Sequence, residues 1–173
     1  MKLMTIEEGE RWLHSVGMET YHEGQLYLPT PTTTYYLPKD SGAKTALARL
    51  LINEVLAEKS IVLILEEIGV WTSSENNFLF TKYREAVSRD QNASHQPFDD
   101  YPFHYAEPHE AIAMEGLIAL SLYFIWGVAV FDGKGEILIK ISHDEWVEIG
   151  STNATKYCAV VNLLDSFGLV RLS

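Results

Sequence analysis

Hydrophobic and polar positions alternate most regularly in the last third of the chain. Apolar residues fill 124–131, alternate with polar residues over 136–142, and return over 146–149. Alternation with a period of two is typical of strands, and the glycine-containing stretch 132–135 indicates a turn between the first two. The pattern predicts three successive strands, with residues 143–145 forming the corner before the third.

Apolar residues spaced three and four positions apart predict helices in the rest of the chain. The predicted helices cover 5–16, 43–57, 74–89, 107–122 and 151–167. Thr5 followed by Glu8 forms a capping-box pattern at the start of the first helix. Ser151 or Thr152 is the expected cap of the last helix, and Gly168 marks its end.

Three further apolar runs complete the expected sheet. The β-branched run 61–65 predicts a buried strand. The prolines at 29, 31 and 38 beside the runs 25–28 and 32–37 indicate edge strands or loop for these two runs. Residues 90–106 are polar and aromatic and predict a long loop with room for a short strand. The order of elements predicts one α+β domain over 1–173, with a mixed, partly antiparallel sheet and helices packed on it.

The composition is typical of a globular chain in a reducing compartment. Of 173 residues, 47% are hydrophobic, which is enough for one core, and Cys158 is the single cysteine. A lone cysteine forms no disulfide within the chain. Glu7 and Glu8 stand where a signal peptide has its apolar stretch, and Glu115 interrupts the most apolar segment, 111–131. We therefore expect a soluble, cytoplasmic protein without a membrane span.

Acidic residues are concentrated in one part of the sequence. The formal net charge is −11, which argues against nucleic-acid binding, since that requires clustered lysine and arginine. Ten acids and two lysines fall between Asp99 and Gly150. This stretch forms either a solvated acidic surface or a surface that attracts a basic protein partner.

Two helix starts carry residues suited to ligand binding. Residues 40–45 (DSGAKT) lack the first glycine of a phosphate-binding loop and the glycine directly before its lysine. A capped helix start is the better interpretation, although Lys44 beside a helix N-terminus can still hold an anion. In the next strand-to-helix loop, Trp71, Ser74 and Glu75 provide either a helix cap or one wall of a small polar pocket.

Histidines and acids cluster without forming a catalytic or metal motif. His104, Glu107, His109 and Glu110 lie close together in sequence, but no H-E-x-x-H pattern is present. We expect no metal and no cofactor. Residues 142–144 (SHD) contain the residue types of a catalytic triad, but consecutive strand residues face opposite ways, and triad members are brought together by the fold.

Three segments carry a family resemblance. Asp40–Arg49 (DSGAKTALAR), Gly69–Asn76 (GVWTSSEN) and Ser142–Trp146 (SHDEW) resemble, in that order, a family of uncharacterised bacterial proteins of this size. The resemblance spans about 30–150 and implies a bacterial, cytoplasmic setting without an assigned activity. It also implies a loop with glycine and histidine near residues 95–105, and 96–101 contains no glycine.

The leading functional hypothesis is a non-catalytic binding protein with an acidic, aromatic face. An immunity-type inhibitor of a basic toxin fits this composition, because charge attracts the partner and aromatic side chains supply most of the affinity. The residues expected on this face are Asp99, Asp100, Tyr101, Asp144, Glu145 and Trp146.

The alternative hypothesis is a small-molecule site, either a binding site or a hydrolase-like active site. It requires the loops of Lys44, Trp71 and Glu75 to meet the His143 corner at one edge of the sheet. The pocket would then combine a cation, acids, an imidazole and an aromatic wall.

Overall fold

The computed structural model describes residues 1–18, 26, 30–57, 59–67 and 74–172, without the side chains of Glu67, Ser74 and Gln91. The strands are β1 (Lys2–Met4), β2 (Thr32–Tyr36), β3 (Ile61–Glu67), β4 (Phe103–Ala106), β5 (Gly127–Asp132), β6 (Ile137–Ile141) and β7 (Trp146–Ser151). The helices are α1 (Ile6–Ser15), α2 (Ser41–Leu50), α3 (Ser74–Val87), α4 (Gln91–Ser94), α5 (Ala111–Phe124) and α6 (Ala154–Phe167). A π-helical segment, Leu51–Val55, extends α2, and a 3-10 turn, Pro108–Glu110, precedes α5.

The seven strands form one sheet in the order β1-β4-β3-β5-β6-β7-β2. The prediction of an α+β fold is confirmed. All neighbouring strands pair antiparallel, whereas the predicted mixed sheet includes some parallel pairs. The hairpins β5–β6 and β6–β7 are joined by short turns, which connect antiparallel strands. Strand β2 lies at the edge of the sheet, as its flanking prolines predicted.

The sheet separates two hydrophobic cores of unequal size. On one face, α2, α3, α5 and α6 pack over alternate strand residues such as Leu63 and Ile139. Helix α5 is central to this layer, because Met114 and Leu117 are fully buried. On the other face, α1 packs through Leu13 over Ile64 and its neighbours. We call these two sides the helix-layer face and the α1 face.

Helix α1 approaches the sheet unusually closely. A Cβ atom added at Gly9 would lie 2.3 Å from Cδ2 of Phe103, so no larger residue fits without movement. The predicted capping box is confirmed, since the Thr5 hydroxyl accepts from the N–H of Glu8 at 3.3 Å and Glu8 Oε2 accepts from the N–H of Thr5 at 3.0 Å. The cap and the glycine together fix where α1 begins and how closely it approaches the sheet.

Several element boundaries differ from those predicted. Strand β5 begins at Gly127 rather than at residue 124, because α5 continues to Phe124 and ends at Ile125, which has a left-handed φ of 58°. Helix α6 is capped by Asn153, whose side chain accepts from two backbone N–H groups, whereas Ser151 belongs to β7. Strand β1 was not predicted. The predicted strand 25–28 lies outside the described residues except for Leu26.

The chain returns to the sheet after α6. Gly168 adopts a left-handed φ of 92°. Tyr36 donates its backbone N–H to Val170 O at 2.9 Å, and Leu172 donates to Thr34 O at 2.9 Å. These bonds run along the outer side of β2. None of the described helices is long and apolar enough to cross a membrane.

Candidate functional site

Residues 142–145 form a tight corner between β6 and β7, as the sequence predicted. Ser142 donates its backbone N–H to Trp146 O at 2.9 Å and accepts from the N–H of Glu145 at 3.2 Å. Glu145 has a left-handed φ of 64°, which closes the turn. Its carbonyl accepts from the N–H of Leu37 at 2.9 Å. The corner is therefore held by backbone bonds on both sides, and it presents the side chains of His143 and Asp144.

A cavity of about 700 Å³ lies against this corner, on the α1 face of the sheet. Its apolar lining includes Ile6, Leu13, Leu26, Ile64, Phe103, Ile141 and Trp146. Its polar lining includes Glu10, Glu66, Lys140, Ser142, His143 and Asp144. Five strands, β3 to β7, contribute residues to the lining, and α1 covers the space beside them. We call this space the α1 cavity.

One charged pair stands in the cavity wall. Lys140 Nζ lies 3.3 Å from Glu66 Oε2, and both side chains are largely buried, with 20% and 15% of their surface exposed. Lys140 alternates with Ile139 and Ile141 along β6, which places it on the α1 face. Its neighbour across the β6–β7 ladder is Glu148. Lys140 therefore lies between two acidic residues, Glu66 and Glu148.

An imidazole and a carboxylate stand at the corner itself. His143 Nε2 lies 3.5 Å from Asp144 Oδ1. Asp144 remains 69% exposed, whereas His143 is half-buried, so the pair stands between the cavity and solvent. Among the described lining residues, Ser142 is the only serine or cysteine beside this pair. Its hydroxyl accepts from the N–H of Asp144 at 3.1 Å. The hydroxyl of Ser142 thus already serves the turn.

Next to the cavity, β7 and β2 carry half-buried and exposed side chains on the α1 face. Tyr36 lies directly opposite Trp146 in the β2–β7 ladder, and 55% of Tyr36 is exposed. Thr34 lies opposite Glu148 one step further along. Two aromatic rings therefore adjoin the acidic corner on an accessible surface.

The structure brings together only part of the predicted site. His143, Asp144 and Trp146 line the cavity, whereas Lys44 and Glu75 lie on α2 and α3, in the layer on the other face of the sheet. Lys44 is buried beside the core residue Leu47, and Glu75 is exposed. Trp71 lies outside the described residues, as does the side chain of Ser74.

The predicted acidic face is only partly continuous. Asp99 and Asp100 are exposed in the turn after α4, while Tyr101 is half-buried and packs against the main core. The adjoining Pro102 lines the same cavity as Asp144. Glu145 is exposed. Asp144 lines the cavity, whereas Asp99 and Asp100 do not and belong to a turn whose neighbours Phe98 and Tyr101 pack on the helix-layer core.

Sequence reasoning missed three polar residues of the cavity: Glu10, Glu66 and Lys140. A signal was present, because a lysine inside an alternating strand must face a polar partner or solvent. Lys140 occupies such a position in the predicted strand 136–142. Its partner Glu66 could not be identified, because β3 and β6 are separated by β5 in the sheet.

A second group of polar side chains is buried in the helix-layer core. Arg84, His104 and Trp126 are fully buried. Arg84 donates to Ala93 O at 3.1 Å and stacks over Phe98 at 5.1 Å, while its Nε and Nη1 make no hydrogen bond within the described part of the chain. Burial lowers the pKa of the Arg84 guanidinium to about 10. Burial, reinforced by the charge of Arg84, lowers the pKa of His104 to about 3.

His104, Glu107 and Glu110 near α5 have structural partners, and His109 is exposed. His104 Nδ1 lies 3.1 Å from Pro102 O, and Glu110 pairs with Arg89 at 2.7 Å. Glu107 and Glu110 form a capping box around the 3-10 turn. No group of histidine, cysteine, aspartate or glutamate among the described residues is arranged to hold a metal ion.

Comparison with protein-family models, with curated proteins and with solved structures finds no match for this chain. The resemblance carried by the three sequence segments therefore stays a prediction.

Proposed function

We propose that the protein binds a small molecule in the α1 cavity. The observation that carries this proposal is the cavity itself, whose volume of about 700 Å³ falls within the range of roughly 300–1,000 Å³ typical of ligand sites. Its lining combines an apolar floor with a few charged side chains, which is the composition that buries a ligand and fixes its orientation.

The position of the cavity also supports ligand binding. The floor consists of strand residues such as Ile64 and Phe103, which are anchored by the sheet. The backbone of the corner that carries His143 is fixed by hydrogen bonds, so the attachment points of its side chains are preorganised. A rigid wall of this kind loses little entropy when a ligand binds. We propose a binding role and assign no reaction.

The experiment is a thermal-shift screen with a fragment library that contains neutral, cationic and anionic members. In Ile64→Trp the larger side chain enters the cavity and should abolish stabilisation by the fragments that stabilise the wild type. Ile64→Leu keeps the side-chain volume and should preserve it. Circular dichroism of both variants establishes that they fold.

Two outcomes reject this function. Stabilisation that persists in a folded Ile64→Trp variant would put the fragments elsewhere on the protein. A library without any fragment that stabilises the wild type would leave the cavity without a ligand of ordinary size.

A second candidate function is recognition of a basic protein partner, favoured by the exposed Tyr36 and the half-buried Trp146 beside the acidic corner. Tyr36 and Trp146 lie opposite each other, next to Asp144 and Glu145. Aromatic side chains dominate the affinity of protein interfaces, and charge steers the encounter. An inhibitor of a basic toxin remains one form that this function can take.

This second function is tested with a labelled oligolysine peptide and an oligoglutamate peptide of equal length. Tyr36→Ala together with Glu145→Gln should weaken oligolysine binding on the order of tenfold. Ile112→Ala with Glu54→Gln makes the same kinds of change on the helix layer and should have no effect. Equal weakening by both double variants would show only an effect of net charge.

A further inference from the structure

We infer that the ligand of the α1 cavity is an organic cation, namely an ammonium group carried on an apolar body. This inference rests on the proposed function and specifies the class of ligand. It follows from the balance of charges on the cavity wall and from the aromatic residues in its lining.

Acids outnumber bases on the wall. The lining contains the carboxylates of Glu10, Glu66 and Asp144, and Lys140 is the single lysine or arginine among the described lining residues. The wall therefore carries an excess of two negative charges when His143 is neutral. Residues outside the described part of the chain contain no lysine or arginine, so they add no permanent positive charge.

The positive charge of Lys140 is already compensated. Its Nζ lies 3.3 Å from Glu66 Oε2, and Glu148 is its neighbour across the strand ladder. Glu10 and Asp144 lie on different elements, the first on α1 and the second on the corner. The negative charges of these two carboxylates are therefore the ones that a ligand with a positive charge would neutralise.

The apolar lining suits the rest of such a ligand. Phe103 and Trp146 contribute aromatic rings, and aromatic faces attract ammonium groups as well as covering apolar groups. Leu13 and Ile64 complete a floor that excludes water from an alkyl or aryl chain. An anionic ligand would contact the same apolar floor but would be repelled by the carboxylates of Glu10 and Asp144. A neutral ligand would gain no electrostatic attraction from these carboxylates.

The test compares three probes with the same apolar body: 4-phenylbutylammonium, 4-phenylbutanol and 4-phenylbutyrate. Dissociation constants are measured by calorimetry at about pH 8, where imidazole side chains are ordinarily uncharged and alkylammonium groups are charged. We expect the ammonium probe to bind at least about tenfold more tightly than the carboxylate, with the alcohol between them.

Variants locate the preference in the wall. Glu10→Gln and Asp144→Asn should each weaken binding of the ammonium probe on the order of threefold to tenfold and leave binding of the alcohol unchanged. Glu54→Gln removes an exposed carboxylate from the helix layer, so it makes the net charge less negative by the same amount and should not change the binding of either probe.

The outcomes separate this inference from the proposed function. Binding of the alcohol or the carboxylate as tightly as the ammonium would overturn the cationic ligand while leaving a cavity that binds small molecules. An ammonium preference that Glu10→Gln and Asp144→Asn do not reduce would overturn it too. Failure of all three probes, together with an empty fragment screen, would reject the binding function itself.

Discussion

His104 is a neutral histidine held in the core next to a positive charge. Because a carbonyl only accepts hydrogen bonds, the contact with Pro102 O places the ring proton on Nδ1. Protonation of Nε2 would create a second buried cation beside Arg84, which is why the pKa of His104 falls to about 3. The unfolded chain accepts that proton at a pKa near 6.5.

This difference makes the fold sensitive to acid through His104. The folded pKa lies below the unfolded value, so the stabilisation is complete above about pH 6.5 and decreases as the pH falls toward about 3. Between about pH 7.5 and pH 5 we expect a loss of about 2 kcal/mol in the free energy of unfolding. Urea denaturation of the wild type and His104→Gln measures it. Parallel pH profiles of the two proteins would contradict the assignment.

Arg84 allows a second prediction at the same scale. Its charge is buried without a carboxylate partner among the described residues, and replacing such a group with an apolar one of similar length is often neutral or stabilising. Arg84→Met should therefore change the free energy of unfolding by less than about 1 kcal/mol, or increase it.

The control for Arg84→Met is Arg49→Met. Arg49 is exposed and pairs with Glu115 at 3.3 Å, so its replacement also removes one positive charge from an acidic chain. If Arg84→Met loses several kcal/mol more than Arg49→Met in chemical denaturation, the guanidinium has a buried partner that stabilises it.

At the scale of elements, the contact between Gly9 and Phe103 determines how α1 lies on the sheet. Alanine favours a helix over glycine by about 1 kcal/mol, yet its methyl group would overlap the Phe103 ring. We expect Gly9→Ala to destabilise the fold by about 1–3 kcal/mol, because α1 or the ring must move.

A double-mutant cycle tests this contact. In a Phe103→Ala background, Gly9→Ala should become stabilising, since the clash is gone and the helix preference remains. Thermal or urea denaturation of the four proteins gives the coupling energy. A stabilising effect of Gly9→Ala in the wild type would mean that α1 is not held this closely.

The sequence predicted elements well where their signals are local. The strands around 61–65, 136–142 and 146–149, and the capping box at Thr5, depend on residues that are neighbours in the chain. The start of β5 was misplaced, since the apolar pattern of α5 continues without a break into the strand. Only Ile125 and Trp126 separate them, and isoleucine gives no sequence signal for the left-handed conformation that Ile125 adopts.

The candidate site was less predictable, because it depends on which strands are neighbours. The corner at His143 was identified from the turn pattern, but its association with Glu10 and Glu66 requires the order of strands and the position of α1. Lys44 was expected beside this corner, and instead it lies in the layer on the other face. A helix start that follows a strand can pack on either face, and the local sequence does not specify which.

In the folded molecule, several acids of the stretch 99–150 form ion pairs with lysines and arginines from other parts of the chain. Of the acidic residues between 99 and 150, Asp132 pairs with Lys59 at 3.0 Å and Glu115 pairs with Arg49 at 3.3 Å. Glu136 pairs with Lys156. These cations come from outside the acidic stretch. The fold thus neutralises part of that stretch and leaves exposed acids mainly around the corner and the turn after α4.

The remaining net charge of −11 still opposes the compact state through repulsion between acids. Raising NaCl from about 0.02 M to about 0.5 M should therefore increase the melting temperature by about 2–5 °C. The triple variant Asp99→Asn, Asp100→Asn, Glu145→Gln carries three fewer negative charges and should respond less. A melting temperature that falls with salt would mean that ion pairs outweigh the repulsion.

The chain segment that returns along β2 limits the association of separate molecules through their sheet edges. Unpaired strand edges are the usual route by which sheets from separate molecules join into larger ordered aggregates. Residues 170–172 already occupy the hydrogen-bonding groups of Thr34 and Tyr36 on that side, and β1 at the opposite edge has only three residues. The sheet therefore exposes few unpaired backbone groups for edge-to-edge pairing with another molecule. At high protein concentration, molecules should contact one another through side chains instead.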